Sequence, residues 1–312
     1  MRQFILRRPV MVFMVATMIL TYPIGIAALI GLQPVQDAMP GWVRDDLVTG
    51  SASRFAPTIV ALSMMAAAFG GASFRAWFRQ LIRINVDFRY YIGVLVALIF
   101  GWAFATYAVL NSQGLDAADL LARDLHQQGV TLLDRVADYL GEVIYITLTN
   151  GEETGWRFFL TTILLVTFRP ISTALLVWIL WSVWHLPIIV LGGGELELLA
   201  AFIALLLPVS ILATWLYIKT ESLFLLLIAH GVFNATTEYA FERQLPEIGQ
   251  IVANHEALAT WYFFAPLALI AAIVVTVDHR LFLRKYAEES LVGWARLRHT
   301  VDRPHARRDV GA

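Results

Sequence analysis

The chain contains no cysteine, which excludes disulfides, thiolate metal sites and a cysteine nucleophile. Charge is also scarce: Asp, Glu, Lys and Arg make up 15% of the 312 residues, while 59% are hydrophobic and the mean hydropathy is +0.67. Soluble globular chains carry roughly a quarter charged residues, so water is not this chain's only solvent. Internal repeats, low-complexity tracts and long polar linkers are missing too. One helical domain over 1–283 is the simplest organisation, with a motif core at 142–239 and a basic tail at 284–312.

What is present instead is a series of long apolar runs. A helix needs roughly 20 mostly apolar residues to cross a hydrocarbon core of about 30 Å. Eight runs meet that need: Pro9 to Leu32, Phe55 to Phe74, Tyr90 to Asn111, Glu142 to Phe168, Ile171 to Leu191, Leu196 to Ile218, Leu223 to Tyr239 and Trp261 to Leu283. The predicted fold class is therefore all-α, a polytopic membrane bundle of about eight transmembrane helices. The first run follows Arg2, Arg7 and Arg8 as a secretory leader would, but its length and the lack of an A-x-A cleavage pattern predict a retained helix.

Lys and Arg remain on the cytoplasmic side of a bilayer, so their distribution sets orientation. With the amino terminus inside, 17 of the 23 basic residues fall on cytoplasmic segments, among them Arg75, Arg79, Arg83, Arg89, Arg169, Lys219 and the tail cations. Outer segments collect acids such as Asp116, Asp119, Asp124, Glu195 and Glu247. Both termini are expected in the cytoplasm of a bacterial or archaeal cell, and the net charge of -1 conceals two oppositely charged faces. It offers no support for nucleic-acid binding. Leu115 to Leu140 reads as an amphipathic helix on the outer surface, and the tail, with Leu291, Trp294 and Leu297 among arginines, as a segment resting on anionic lipids.

An ionisable group inside a span costs several kcal/mol unless paired or hydrated, so each one is a functional candidate. The fourth span holds Gly151-Glu152-Glu153-Thr154-Gly155-Trp156-Arg157. Glu153 and Arg157 are four apart on one helical face and form a favourable pair, which reads more readily as structural than catalytic. Glu152 is ten residues past Glu142, about 15 Å along a continuous helix, and points away with no cation of its own. That isolation suits a base accepting a proton from water.

The fifth span carries Trp181 and His185 in a tryptophan-rich stretch ahead of Pro187, and the seventh carries His230 and Asn234 on one face. Singly, each is ordinary: an interior histidine, or a hydrogen-bond station between membrane helices. Together, a base, two imidazoles and an amide from three spans are a parts list for hydrolysing a carbonyl compound. Glu152 with His185 can polarise water, and His230 and Asn234 can donate to the oxyanion.

These motifs resemble those of the CAAX-processing and bacteriocin-processing (Abi) family of intramembrane glutamic endopeptidases. E-E-x-x-x-R reads Glu152, Glu153 and Arg157; F-x-x-x-H reads Trp181 and His185; H-x-x-x-N reads His230 and Asn234. The departures are Trp181 where the pattern has phenylalanine, an exchange of aromatic for aromatic, and Phe158 and Phe159 where a small residue often follows the arginine, which predicts a narrowed cavity. The resemblance implies an eight-helix fold and a metal-free, cofactor-free endopeptidase acting on a membrane-embedded or lipidated peptide or protein. It implies that Glu152, His185, His230 and Asn234 are catalytic, with Glu153, Arg157 and Trp181 supporting them.

Three other readings stand beside it. Glu152, His185 and His230 are enough ligands for zinc, though there is no H-E-x-x-H helix and the Arg157 cation competes for the carboxylates. A transporter also places charge near the midplane, and Gly151 and Gly155 suit a broken helix, but no matching interrupted span occurs in the other half. A catalytically silent scaffold or immunity protein would keep the same motifs.

Overall fold

The computed structural model of the chain describes residues 7–30, 54–191, 195–239 and 245–285. These residues are helical, with no strand among them. In chain order the helices are α1 (Pro9–Ile30), α2 (Ala56–Phe69), α3 (Gly71–Leu81), α4 (Phe88–Ser112), α5 (Ala117–Gln128), α6 (Leu132–Thr149), α7 (Thr154–Thr167), α8 (Pro170–Leu191), α9 (Leu196–Thr220), α10 (Leu223–Asn234), α11 (Pro246–Ala253), α12 (Glu256–Val277) and α13 (His279–Leu283). The basic tail from 286 onward lies outside the described residues.

Four of these helices, α4, α8, α9 and α12, are long and apolar enough to cross a membrane. Their outward faces confirm the solvent they need: on α12, Leu269, Ile273 and Val277 follow one another at single-turn spacing and are 63%, 52% and 74% exposed. Such a stripe is favourable against hydrocarbon and unfavourable against water. The chain is a multi-pass integral membrane protein.

Two apolar cores hold the bundle together. One gathers α4, α9, α10 and α12 around Trp102, Tyr217, Leu226 and Phe263; the other gathers α1, α2, α7 and α8 around Phe13, Met65, Trp156 and Trp184. Helix α10 contributes to both, Leu226 and Val232 to the first and Leu223 and Leu227 to the second. The polar residues singled out from sequence lie along this seam.

The expected single amphipathic helix over Leu115 to Leu140 is instead two helices. Asp116 caps α5 by accepting from the amides of Ala118 and Asp119, Gly129 ends it with φ of 65°, and a Thr131/Asp134 capping box starts α6. Buried Asp124 of α5 accepts from the amides of Glu247 and Ile248 at 3.1 and 3.2 Å and so caps α11. Helix α6 then runs on into the predicted fourth span, with Leu133, Val136, Leu140, Ile144 and Leu148 exposed along one side.

Candidate active site

The fourth span is broken where its acids begin. Helix α6 ends at Thr149, Asn150 turns to extended backbone, and its side-chain oxygen accepts the amide of Glu152 at 2.8 Å. Glu152 therefore does not lie ten residues along a continuous helix, as the apolar run alone suggested. It stands at the mouth of a new helix and is nonetheless only 4% exposed.

That helix starts with an i to i+5 winding over Thr154–Thr161, every residue of it buried, and the Thr161 hydroxyl donates to the Trp156 carbonyl five residues back. Windings of this kind are short, rare and concentrated at functional sites. The start of α2 presses directly on it. A Cβ at Gly151 would stand 2.7 Å from the Phe55 Cα, and one at Gly155 would stand 2.8 Å from the carbonyl carbon and oxygen of Pro57. The Thr58 hydroxyl donates to the Gly151 carbonyl. These glycines answer to close packing, alongside the break that Gly151 also serves.

The acids are far from isolated. Glu152 Oε2 accepts from Trp181 Nε1 at 3.0 Å, and Glu152 Oε1 is 4.0 Å from His230 Nε2. Glu153 Oε1 accepts from His230 Nδ1 at 2.8 Å, while Glu153 Oε2 faces Arg157 Nε at 3.2 Å. The Arg157 guanidinium, fully buried, lies 4.6 Å from the centre of the Trp181 ring.

Three expectations change as a result. Glu152 does have partners, one indole and one imidazole. Glu153 does more than pair with Arg157, because it also orients His230. Trp181 is not equivalent to phenylalanine, since only an indole can donate to the carboxylate. A sequence reading centred on charged residues missed Asn150, whose position just before Gly151 was a turn signal.

His185 joins the cluster through its own helix. Its Nδ1 lies 2.9 Å from the Trp181 carbonyl, and its ring is surrounded by Trp184, Trp181 and Phe202 at 4.7, 5.4 and 5.1 Å between centroids. A carbonyl only accepts, so Nδ1 carries the proton and Nε2 holds a free lone pair. Asn234, 5% exposed, is one turn beyond His230 on α10. Among the described residues no direct hydrogen bond joins Glu152 to His185 or to Asn234.

Beside the cluster lies a cavity of about 240 Å³, lined by Glu153, Arg157, Trp181 and His230, by Arg89 of α4, and otherwise by mostly apolar residues of α4, α9, α10 and α12. Phe158 and Phe159 do not narrow it; they pack away in the second core with Phe13 and Trp156. Among the described residues no group of three or more His, Asp and Glu side chains is arranged to hold a metal ion.

The region holding these residues is also the region that matches known proteins. Residues 138–236 match the family model for type II CAAX prenyl endopeptidase Rce1-like. The chain is similar to that family over this core, about a third of its length. A curated relative, CAAX prenyl protease 2 of Methanococcus maripaludis, is 26% identical over 143 residues, which is 43% of this chain and 48% of the relative. The chain thus spans about half the length of the curated relative it matches.

Proposed function

We propose that the chain is an intramembrane endopeptidase that hydrolyses a peptide bond of a membrane-associated protein or peptide, prenylated substrates included. The observation that carries this reading is a buried carboxylate with one oxygen held and one oxygen presented: Trp181 fixes Glu152 Oε2, while Oε1 faces His230. A carboxylate held this way at the seam of two apolar cores is arranged to receive a proton rather than to stabilise the fold.

In the proposed reaction, water attacks the carbonyl carbon and gives its proton to Glu152, assisted by the Nε2 lone pair of His185. The developing oxyanion accepts from His230 and from the Asn234 amide. Donation by His230 needs a proton on Nε2, which the flanking Glu152 and Glu153 carboxylates stabilise, since Nδ1 is already committed to Glu153. Glu153, Arg157 and Trp181 hold these groups in place. The proton on Glu152 then passes to the departing amine as the carbon–nitrogen bond breaks, and the apolar cavity beside the cluster receives the hydrophobic part of the substrate.

The same reading takes the membrane topology as eight spans with both ends cytoplasmic, in one domain over 1–283 followed by a cytoplasmic tail. Four further apolar helices, α1, α2, α7 and α10, support that number when added to the four long ones.

The test is cleavage of prenylated and unprenylated fluorogenic peptides by the full chain in proteoliposomes. Glu152→Gln is expected to lower kcat/KM by about 10²–10⁴ with thermal unfolding unchanged, and a chelator is expected to leave activity intact. Wild-type activity in Glu152→Gln would turn the assignment toward a scaffold of the same fold, and activity restored by zinc after chelation would end the metal-free mechanism.

A further inference from the structure

The most strongly two-faced helix among the described residues is α3, and it carries apolar residues on its outward side as well as its inward one. Its inward side mixes apolar and polar contacts: Ala76, Trp77 and Leu81 pack on the second core, Ser73 and Gln80 are buried, Trp77 Nε1 donates to Thr154 Oγ1 at 3.1 Å, and the Tyr217 hydroxyl donates to Gln80 Oε1 at 3.1 Å. The outward side carries apolar residues as well. Phe74, Phe78 and Ile82 succeed one another every four residues and are 43%, 53% and 55% exposed. Beside them lie Arg75 and Arg79, one turn apart on the helix, and Arg83, two residues past its end at Leu81, all exposed.

The two outward sets fit only one kind of surroundings. Aromatic and aliphatic side chains turned outward need hydrocarbon, while arginines at their flank need water or anions, and both are met together at the headgroup boundary of a bilayer. The chain enters this helix through Gly70, whose φ of 63° ends α2 and redirects the backbone. Among the described residues Arg75 and Arg79 have no acidic partner, and Arg83 reaches Glu221 only at 3.7 Å. Arg75 and Arg79 are thus open to an anion from outside the protein, while Arg83 is shared with Glu221.

We propose that α3 is an interfacial helix that binds anionic phospholipid through Arg75, Arg79 and Arg83, with Phe74, Phe78 and Ile82 seated among the acyl chains, and that it passes lipid occupancy to α7. The path is short. Trp77 bonds to Thr154, the second residue after Glu152, and Gln80 is joined through the Tyr217 hydroxyl to Thr162, 2.9 Å away at the far end of the wound segment. Charge complementarity selects the partner: phosphate oxygens match an arginine row, whereas a zwitterionic surface offers it much less. The lipid site stands without the peptidase reading; only its effect on the site depends on the position of Glu152.

The experiment uses the full chain in nanodiscs of phosphatidylcholine with increasing phosphatidylglycerol. Spin-labelled lipids report the selectivity of bound lipid, and hydrogen exchange is followed over residues 152–162. Wild type is expected to prefer phosphatidylglycerol and to exchange more slowly at 152–162 as its fraction rises. The triple variant Arg75→Gln/Arg79→Gln/Arg83→Gln is expected to lose about fivefold or more of that selectivity, and 1 M salt to lower the wild-type preference in the same way. The corresponding triple lysine variant is expected to retain it, which separates charge from misfolding. Trp77→Phe is expected to keep the selectivity but lose the lipid effect on exchange. Equal selectivity in wild type and the glutamine variant would overturn the binding site, and exchange at 152–162 that ignores lipid in wild type would overturn the coupling. Neither readout uses proteolysis, so a failed cleavage assay leaves this result standing.

Discussion

The Glu153–Arg157 pair and the Lys219–Asp278 pair have similar nitrogen-to-oxygen separations, 3.2 and 3.0 Å, but very different surroundings. The first pair is 3% and 0% exposed between two apolar cores; the second is 31% and 28% exposed at the end of α9 and α12, where Trp215 also donates to Asp278 at 2.7 Å. Separation alone would rank the two alike. Depth ranks them differently, because removing one partner of a buried pair strands a charge out of water, while removing one at the edge leaves the other hydrated.

The comparison is broken most forcefully at Arg157. Arg157→Ala leaves the Glu153 carboxylate buried with only His230 to meet it, and a loss of about 3–5 kcal/mol is expected in denaturant unfolding in detergent micelles. Combining it with Glu153→Gln is expected to cost less than the two changes added together, since the stranded charge is gone. A fully additive double variant would show that the pair is not coupled as described.

Trp181→Phe tests the next level, a single neutral donor to a buried carboxylate. The ring over Arg157 is kept and the bond to Glu152 Oε2 is lost. A stability cost of about 1–3 kcal/mol is expected, with kcat/KM falling while KM stays close to wild type. An unchanged kcat/KM would remove Trp181 from the positioning of Glu152.

The smallest effect belongs to the edge pair. Asp278→Asn is expected to cost less than about 1 kcal/mol near neutral pH. The hydrogen bond from Trp215, together with Lys219, holds the Asp278 carboxyl below the usual carboxylate range. A group whose folded pKa is depressed gives its full stabilisation above its unfolded value and loses it as pH falls through the folded one. The difference between variant and wild type should therefore be constant from about pH 5 to 8 and close only below about pH 4. A difference that closed near pH 6.5 would point to another group.

Against these contrasts, what could be read from the residues divides by length scale. The all-helical membrane architecture was legible because apolar runs of bilayer length allow few alternatives, and the exposed stripe on α12 agrees with them. The motif residues could be named because charge in apolar sequence is conspicuous. Their geometry was hidden: helical periodicity assumes an unbroken α-helix, and the Asn150 turn followed by the wound segment abolishes that register at Glu152. The bond from Trp181 was equally hidden, because a motif written as an aromatic position does not distinguish a ring with a donor from one without. Gly129 and the Thr131 capping box were present as signals at Leu115 to Leu140, and the apolar periodicity on either side masked them.

The wound segment from Thr154 to Thr161 has one more consequence. An i to i+5 turn accommodates a residue that an α-helix of the same length would not, so the residues on either side keep an angular offset about the axis. Removing one residue there would let the backbone relax to ordinary pitch and swing Arg157 and Trp156 around relative to Glu153. The geometry of the candidate site thus rests on helical phase as well as on composition.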